Sequence, residues 1–258
     1  MPTVREMEEH LELTRSRGYV VAKSNEIVQK SRYSLSLSQQ KLLSFIISLI
    51  KPVARDENGN DIMPAEIPLE HGFNIRQYAR IMMINDSNGK LYNAVKDDVQ
   101  ALADCSVWVP VEGSEKKERI VRWVDTAEIA ERSGIIRIKL HPSIVPYLYN
   151  LKEKFTSYEL CEIFPFRSRY SIRMYELCRS HLYERSFVIG LEELKRYFMV
   201  DDNAYYDDFK KFSQKILKKS IDEINMYTSM QVSVEKDGRP VKRLMISIRE
   251  GKPERETG

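Results

Sequence analysis

Ser31-Arg32-Tyr33-Ser34-Leu35 returns later in the chain as Ser168-Arg169-Tyr170-Ser171-Ile172, and each copy is followed by similar elements in the same order. After the first copy, the pattern predicts an apolar helix from Gln39 to Ile50. A short helix from Asn74 to Ile84, a polar turn, a longer helix from Leu91 to Ala103 and a strand from Val107 to Val111 follow. After the second, the helices are Ser171 to Tyr183, Leu191 to Val200 and Asp207 to Asn225. The turn Asp201-Asp202-Asn203 separates the last two, and a strand covers Gln231 to Val234. A short helix, a turn, a longer helix and a β-hairpin make a winged helix-turn-helix. The expected fold is therefore α+β: two tandem winged helix-turn-helix domains, internally duplicated. Such a pair points to DNA binding more than to catalysis.

With 258 residues the chain can bury two modest cores. The expected organisation is a poorly ordered leader (1–18), an N-terminal domain (19–150), a C-terminal domain (151–250) and a flexible tail (251–258). Ser38 is the candidate N-cap of the first apolar helix, and Pro52 stops it. The Gly- and Pro-containing stretch Arg55 to Glu70 reads as an inserted loop. Val107-Trp108-Val109 and Arg119 to Val124, flanking the turn Gly113 to Lys117, have the shape of a hairpin wing. Ile135 to Leu140 reads as a third strand. Tyr147 to Thr156 reads as a helical connector, which places the boundary near Asn150.

The formal net charge of +3 says little about partners, so where the charge sits matters more. The three cysteines, Cys105, Cys161 and Cys178, are far apart and form no CxxC pair, which argues against a disulfide framework or a zinc site and fits a reducing cytosol. The charged start, Met1 to Arg17, lacks the apolar core of a signal peptide. The longest apolar run, Leu42 to Ile50, is far short of the ~20 residues of a membrane span. A soluble cytoplasmic protein with no membrane partner is expected.

The helix from Asp207 to Asn225 carries the strongest local signal. At about 100° per residue, Phe209, Phe212, Ile216, Ser220 and Ile224 share one side, with Leu217 at its margin. Lys211, Gln214, Lys215, Lys218, Asp222 and Asn225 share the other. Lys210 to Lys219 holds five lysines and no acid. A helix entering a major groove needs this division, an apolar stripe for its own core and polar groups for phosphates and base edges. Gln214 suits an adenine edge, whereas the lysines suit phosphates. A solvated lysine-rich surface helix would look similar in isolation. The position of this one, third in its unit and just before a basic hairpin, favours DNA contact. In that hairpin Asp237-Gly238 is the turn signal, and Arg239, Lys242 and Arg243 lie near the tip.

Ser168 and Arg169 precede a helix and are candidates for binding a phosphate at its N-terminus. A capping serine beside a solvated arginine is the competing reading. In the first half, Lys90, Asn93, Lys96 and Gln100 share the outward face of the corresponding helix with Asp97. That face is less basic, so it should hold DNA more weakly or serve as a protein interface.

Catalytic signals are lacking. His10, His71, His141 and His181 are isolated from one another, and no GxxxxGK[ST] loop occurs. Acidic pairs such as Asp97-Asp98, Asp201-Asp202 and Asp207-Asp208 sit in turns or at helix starts, where capping explains them. No catalytic residue, metal site or cofactor is expected.

Val21-Ala22-Lys23-Ser24-Asn25-Glu26 leading into Ser31 to Ser36 resembles the opening of plasmid replication initiators of the Rep_3 (RepB-like, iteron-binding) family. So do Lys152 to Tyr158, Arg167 to Arg173 and Tyr175-Glu176-Leu177. The resemblance runs from about Val20 to Ile248; the loop from Arg55 to Glu70 and the acidic leader lie outside its motifs. It implies two winged-helix domains that bind direct repeats (iterons) at a plasmid origin, help open adjacent AT-rich DNA and recruit host replication proteins such as a helicase and an initiator. It also implies a monomer–dimer equilibrium, with dimers formed largely through the N-terminal domain, and autoregulation. Its recognition helix maps onto Asp207 to Asn225. A two-domain repressor with no replication role would have the same DNA-contact chemistry.

Overall fold

Helix, strand, helix, helix and a two-stranded hairpin follow one another twice in the computed structural model, which describes residues 18–50, 57–58, 60, 68–84, 89–111 and 117–251. The expected leader up to residue 17, Pro52, most of the 55–70 loop, the 113–116 part of the first hairpin turn and the tail after residue 251 lie outside the described residues. The described chain opens with β1 (Val20–Ser24) and α1 (Asn25–Lys30). The first unit comprises α2 (Leu37–Ser48), β2 (Glu70–Asn74), α3 (Ile75–Ile81) and α4 (Leu91–Asp104). Four strands follow, β3 (Ser106–Pro110), β4 (Glu118–Arg122), β5 (Val124–Ala130) and β6 (Ile135–Leu140).

After β7 (Phe155–Glu159), the second unit runs through α5 (Arg169–Ser180), β8 (Ser186–Gly190) and α6 (Leu191–Tyr197). A long helix then starts as α7 (Phe209–Phe212), opens into a π-helical turn (Ser213–Lys218) and closes as α8 (Lys219–Tyr227). The hairpin β9 (Met230–Asp237) and β10 (Arg243–Glu250) completes it.

The duplication is visible in the sheets. The first unit pairs its strands in the order β2-β6-β5 and the second in the order β8-β10-β9, all antiparallel. The wing equivalent to β9–β10 is therefore β5–β6. The hairpin expected to be the first wing, β3–β4, is a separate two-stranded ribbon inserted before it. Its alternating pattern identifies a hairpin but not its place in the sheet order. In β10 the alternation is clean, with Leu244, Ile246 and Ile248 buried and Met245 exposed.

Local chemistry sets the helix starts. Ser36, not the expected Ser38, caps α2 and forms a reciprocal capping box with Gln39, with hydrogen bonds of 3.2 and 2.8 Å. The Ser38 hydroxyl instead donates to Asp98 on α4 at 3.0 Å. Ser24 caps α1, and Ile27 and Val28 bury its inner face.

The expected helical connector at 147–156 is absent. Pro142–Tyr147 forms a short 3-10 helix. The chain then extends into β7, which pairs antiparallel with β1 from Val20↔Glu159 to Ser24↔Phe155. Lys23, at 3% exposure, donates to the buried Glu176 of α5 at 2.6 Å, and the Tyr158 hydroxyl donates to the same oxygen at 2.6 Å. Tyr158 and the aromatic rings of Phe166 and Tyr175 fill the space around them. The expected boundary near Asn150 thus falls inside a packed region, where helix α5 touches α1 and α2 on one side and α8 on the other.

The two sequence repeats meet physically at this helix. Arg169 donates to the Ser34 hydroxyl at 3.2 Å, and Gln40 donates to the Arg169 carbonyl at 3.1 Å. Arg173 lies 4.2 Å over the Tyr33 ring. No helix among the described residues is long and apolar enough to cross a membrane.

Candidate nucleic-acid interface

The 209–227 helix is built as a two-sided element. Phe212, Ile216, Ser220 and Ile224, spaced four apart, are buried together with Leu217, and Phe209 packs against their edge. On an ideal α-helix a fourfold spacing drifts by about 40° per step. The wider π turn at Ser213–Lys218 lessens that drift and keeps the column on the core. Lys210, Lys211, Gln214, Lys215, Lys218 and Lys219 all project to solvent. The π turn thus sits under Gln214, Lys215 and Lys218. The N-terminus of this helix is fixed by Asp208, whose carboxylate accepts the Lys210 amide at 2.8 Å.

These cations are not equivalent. Lys218 pairs with Asp222 at 2.7 Å, both side chains exposed. The Lys211 ammonium lies 4.8 Å over the ring of Tyr205, in the turn leading into the helix. Asn225, read from the helical wheel as an outward polar residue, instead pins the wing. Its side chain donates to the Val232 carbonyl at 3.0 Å and accepts the Val232 amide at 2.6 Å.

The wing lies beside this face. Gly238 adopts φ of +92°, the conformation the turn requires, and the Lys242 amide closes it by donating to the Asp237 carbonyl at 3.1 Å. Arg239 and Lys242 are exposed in the turn. Arg243, also exposed, is held by Asp237 at 2.6 Å, so part of its charge is already neutralised. Lys236, not among the expected contact residues, lies on β9 with its ammonium 5.2 Å over the Phe209 ring. It joins wing to helix start and extends the cationic face. Its place becomes visible only once β9 is known to run as far as Asp237.

The expected phosphate site at Ser168 and Arg169 is filled from within. Ser168, at 7% exposure, caps α5 by accepting the Tyr170 amide at 3.2 Å. The Arg167 and Ser168 amides donate to the Glu223 carboxylate of α8 at 3.1 and 3.3 Å. A carboxylate from the long helix takes the place an external anion would occupy. Arg169 is turned to Ser34 and to the Tyr170 hydroxyl, the latter at 2.8 Å. Nothing in the local sequence signals Glu223 for this role. Nearby, Lys41 donates to the Phe164 carbonyl at 2.7 Å; burial lowers its pKa to about 8, against the opposing pull of Glu223.

In the first unit, Lys90, at the N-cap of α4, and Asn93, Lys96 and Gln100 on the helix are exposed, with Asp97 beside them. Lys96 lies 3.6 Å from Glu131 in the turn of the β5–β6 wing. This face is mixed in sign, whereas the 209–227 face is dominated by cations. Among the described residues no cluster of three or more His, Cys, Asp or Glu side chains is arranged to hold a metal ion.

A shared helix joining two units, each with strand, two helices and a hairpin wing, defines a double winged-helix protein. The chain belongs to the Rep3 family of replication initiators. Residues 20–179 match the family model described as "Initiator Replication protein, WH1" and residues 190–248 the one described as "Initiator Rep protein, WH2". It is similar to a "Replication initiation protein" of Escherichia coli, 29% identical over 237 residues that cover 89% of this chain and 69% of the relative. It is also similar to a "PI protein" of Escherichia coli, 30% identical over 183 residues that cover 60% of this chain and 59% of the relative. Among solved structures, the crystal structure of a Pi initiator protein in complex with iteron DNA has the same fold. Its TM-score is 0.68 at 20% identity, covering 91% of this chain and 98% of the other.

Proposed function

We propose that this protein starts plasmid replication by binding direct repeats at the origin, with the 209–227 helix in a major groove and the β9–β10 wing along the backbone. The observation that carries this reading is the solvent-facing row of Lys210, Lys211, Gln214, Lys215 and Lys218 over a π turn, with Arg239 and Lys242 on the adjacent wing. Gln214 reads a base edge, and the lysines hold phosphates. The mixed face of α4, with Lys90, Asn93 and Lys96, contributes a weaker second contact. Bound copies promote opening of neighbouring AT-rich DNA and recruit the host helicase and initiator. Self-association limits this activity and represses the protein's own promoter. The protein acts in the cytoplasm by binding alone, without catalysis or a cofactor.

Fluorescence anisotropy on duplexes carrying direct repeats from the gene's own upstream region, against scrambled duplexes over a salt series, tests the reading. The expected result is repeat-dependent binding with a steep salt slope. Equal weak binding to every duplex would overturn it.

A further inference from the structure

Arg173, on the central helix α5, is 3% exposed, yet a solvated DNA-facing surface has no use for a buried cation and the core has no room for an idle one. Its guanidinium is sandwiched 4.2 Å from the Tyr33 ring and 4.0 Å from the Tyr197 ring. Nη2 donates to the Ser31 carbonyl at 2.7 Å, while Nε is buried with no hydrogen-bond partner. Ser31 and Tyr33 belong to the segment entering the first unit, and Tyr197 ends α6 in the second. The Tyr197 hydroxyl lies 3.0 Å from both the Val28 and the Arg173 carbonyls, bridging the same three segments.

A planar cation between two rings keeps both contacts at one separation and tilt, and the attraction fades beyond about 6 Å. Any rotation of one unit against the other pulls the buried guanidinium away from one of the two rings and from the Ser31 carbonyl. Gln40, donating to both the Leu35 and Arg169 carbonyls at 3.1 Å, stitches the same seam.

We infer that Arg173, clamped between Tyr33 and Tyr197, is a positioning residue that sets the angle between α4 and the 209–227 helix, and so the spacing of DNA sub-sites the chain can engage at once. The spacing part of this inference rests on the proposed DNA contact of both units; the angular part does not.

The test uses the full chain and two readouts. Spin labels are placed at Asn93→Cys and Gln214→Cys, with Cys105→Ser removing a partly exposed thiol, and distances are measured without DNA. The expected result is one narrow distribution for the parent and a broadened or displaced one for Arg173→Met. An unchanged narrow distribution in folded Arg173→Met overturns the inference. If Arg173→Met shows no cooperative melting, Arg173→Lys carries the same test, since it keeps a cation between the rings but loses the planar fork.

The second readout compares a cognate repeat with one carrying about 5 inserted base pairs between its halves, half a helical turn. The parent should lose at least about tenfold in affinity on the insertion. Arg173→Met should bind the native spacing more weakly and discriminate between the two by less than about threefold. Equal discrimination by parent and variant overturns the inference. A parent indifferent to the insertion instead sinks the two-unit contact, leaving the distance measurement to decide the role of Arg173.

Discussion

Lys215 and Lys218 leave the same turn of the 209–227 helix, but Lys218 shares its charge with Asp222 at 2.7 Å. Lys215→Ala should therefore lower the salt slope of DNA binding by about one unit across all sequences, and Lys218→Ala by less. Asp222→Asn should tighten binding to specific and scrambled duplexes alike, because it restores a full cation to the face. A salt series on the three variants checks the order; equal slopes for the two lysine variants would contradict it. Gln214→Ala should relax preference at one or two base positions, costing about 1–3 kcal/mol on the cognate repeat, as read by competition with singly substituted duplexes.

Lys41 gives a pH signature of its own. Burial lowers its pKa in the folded protein to about 8 from an ordinary 10.5. Between those values the unfolded chain holds more protons, so stability rises with pH across that window and the full penalty applies below it. Buried tyrosines act oppositely. Tyr149 is pushed up to about 12 by burial, so above its ordinary value of 10 the unfolded chain loses protons first and stability falls. Urea midpoints should climb from pH 8 to about 10 and then drop, and Lys41→Met should flatten the climb.

At the scale of elements, the β9–β10 wing depends on its turn. A Cβ on Gly238 would meet the Pro240 carbonyl oxygen at 3.0 Å on a backbone already at φ of +92°. Gly238→Ala should cost about 1–2 kcal/mol of stability, measured by chemical denaturation, with the helices intact by circular dichroism. Helices and the last hairpin were legible in the sequence because their signals are local. The column at Phe212, Ile216, Ser220 and Ile224 follows helical spacing, and Asp237-Gly238 marks a turn. The strands that were missed take their partners from far away. β1 contains Lys23, a residue that reads as solvent-facing until Glu176 is brought beneath it. β7 follows Lys152 to Lys154 and resembles a connector until β1 lies alongside. For the same reason the exposed cations of the 209–227 helix could be named, but not the carboxylate of Glu223 at the α5 N-terminus.

The molecule as a whole is built around α5, the first helix of the second unit and a packing partner of α1 and α2 in the first. A fragment ending at Asn150 loses both β7 and α5, which cover β1 and the inner faces of α1 and α2. It should show no cooperative thermal transition, whereas a fragment ending near Arg185 should keep one. Far-UV circular dichroism on the two fragments decides the point, and a cooperatively folded 1–150 fragment would contradict the shared-helix arrangement.

The Arg173 sandwich also governs how readily such proteins can be recombined. The natural seam for exchanging the second winged-helix module between relatives is the turn at 181–185, after α5 ends. Arg173 lies before that seam and Tyr197 after it. A chimaera spliced there inherits half of the clamp from each parent. Grafts between relatives with mismatched halves would yield two sound modules aimed in the wrong relative direction, and transferring a new binding preference would require carrying the clamp residues along with the module.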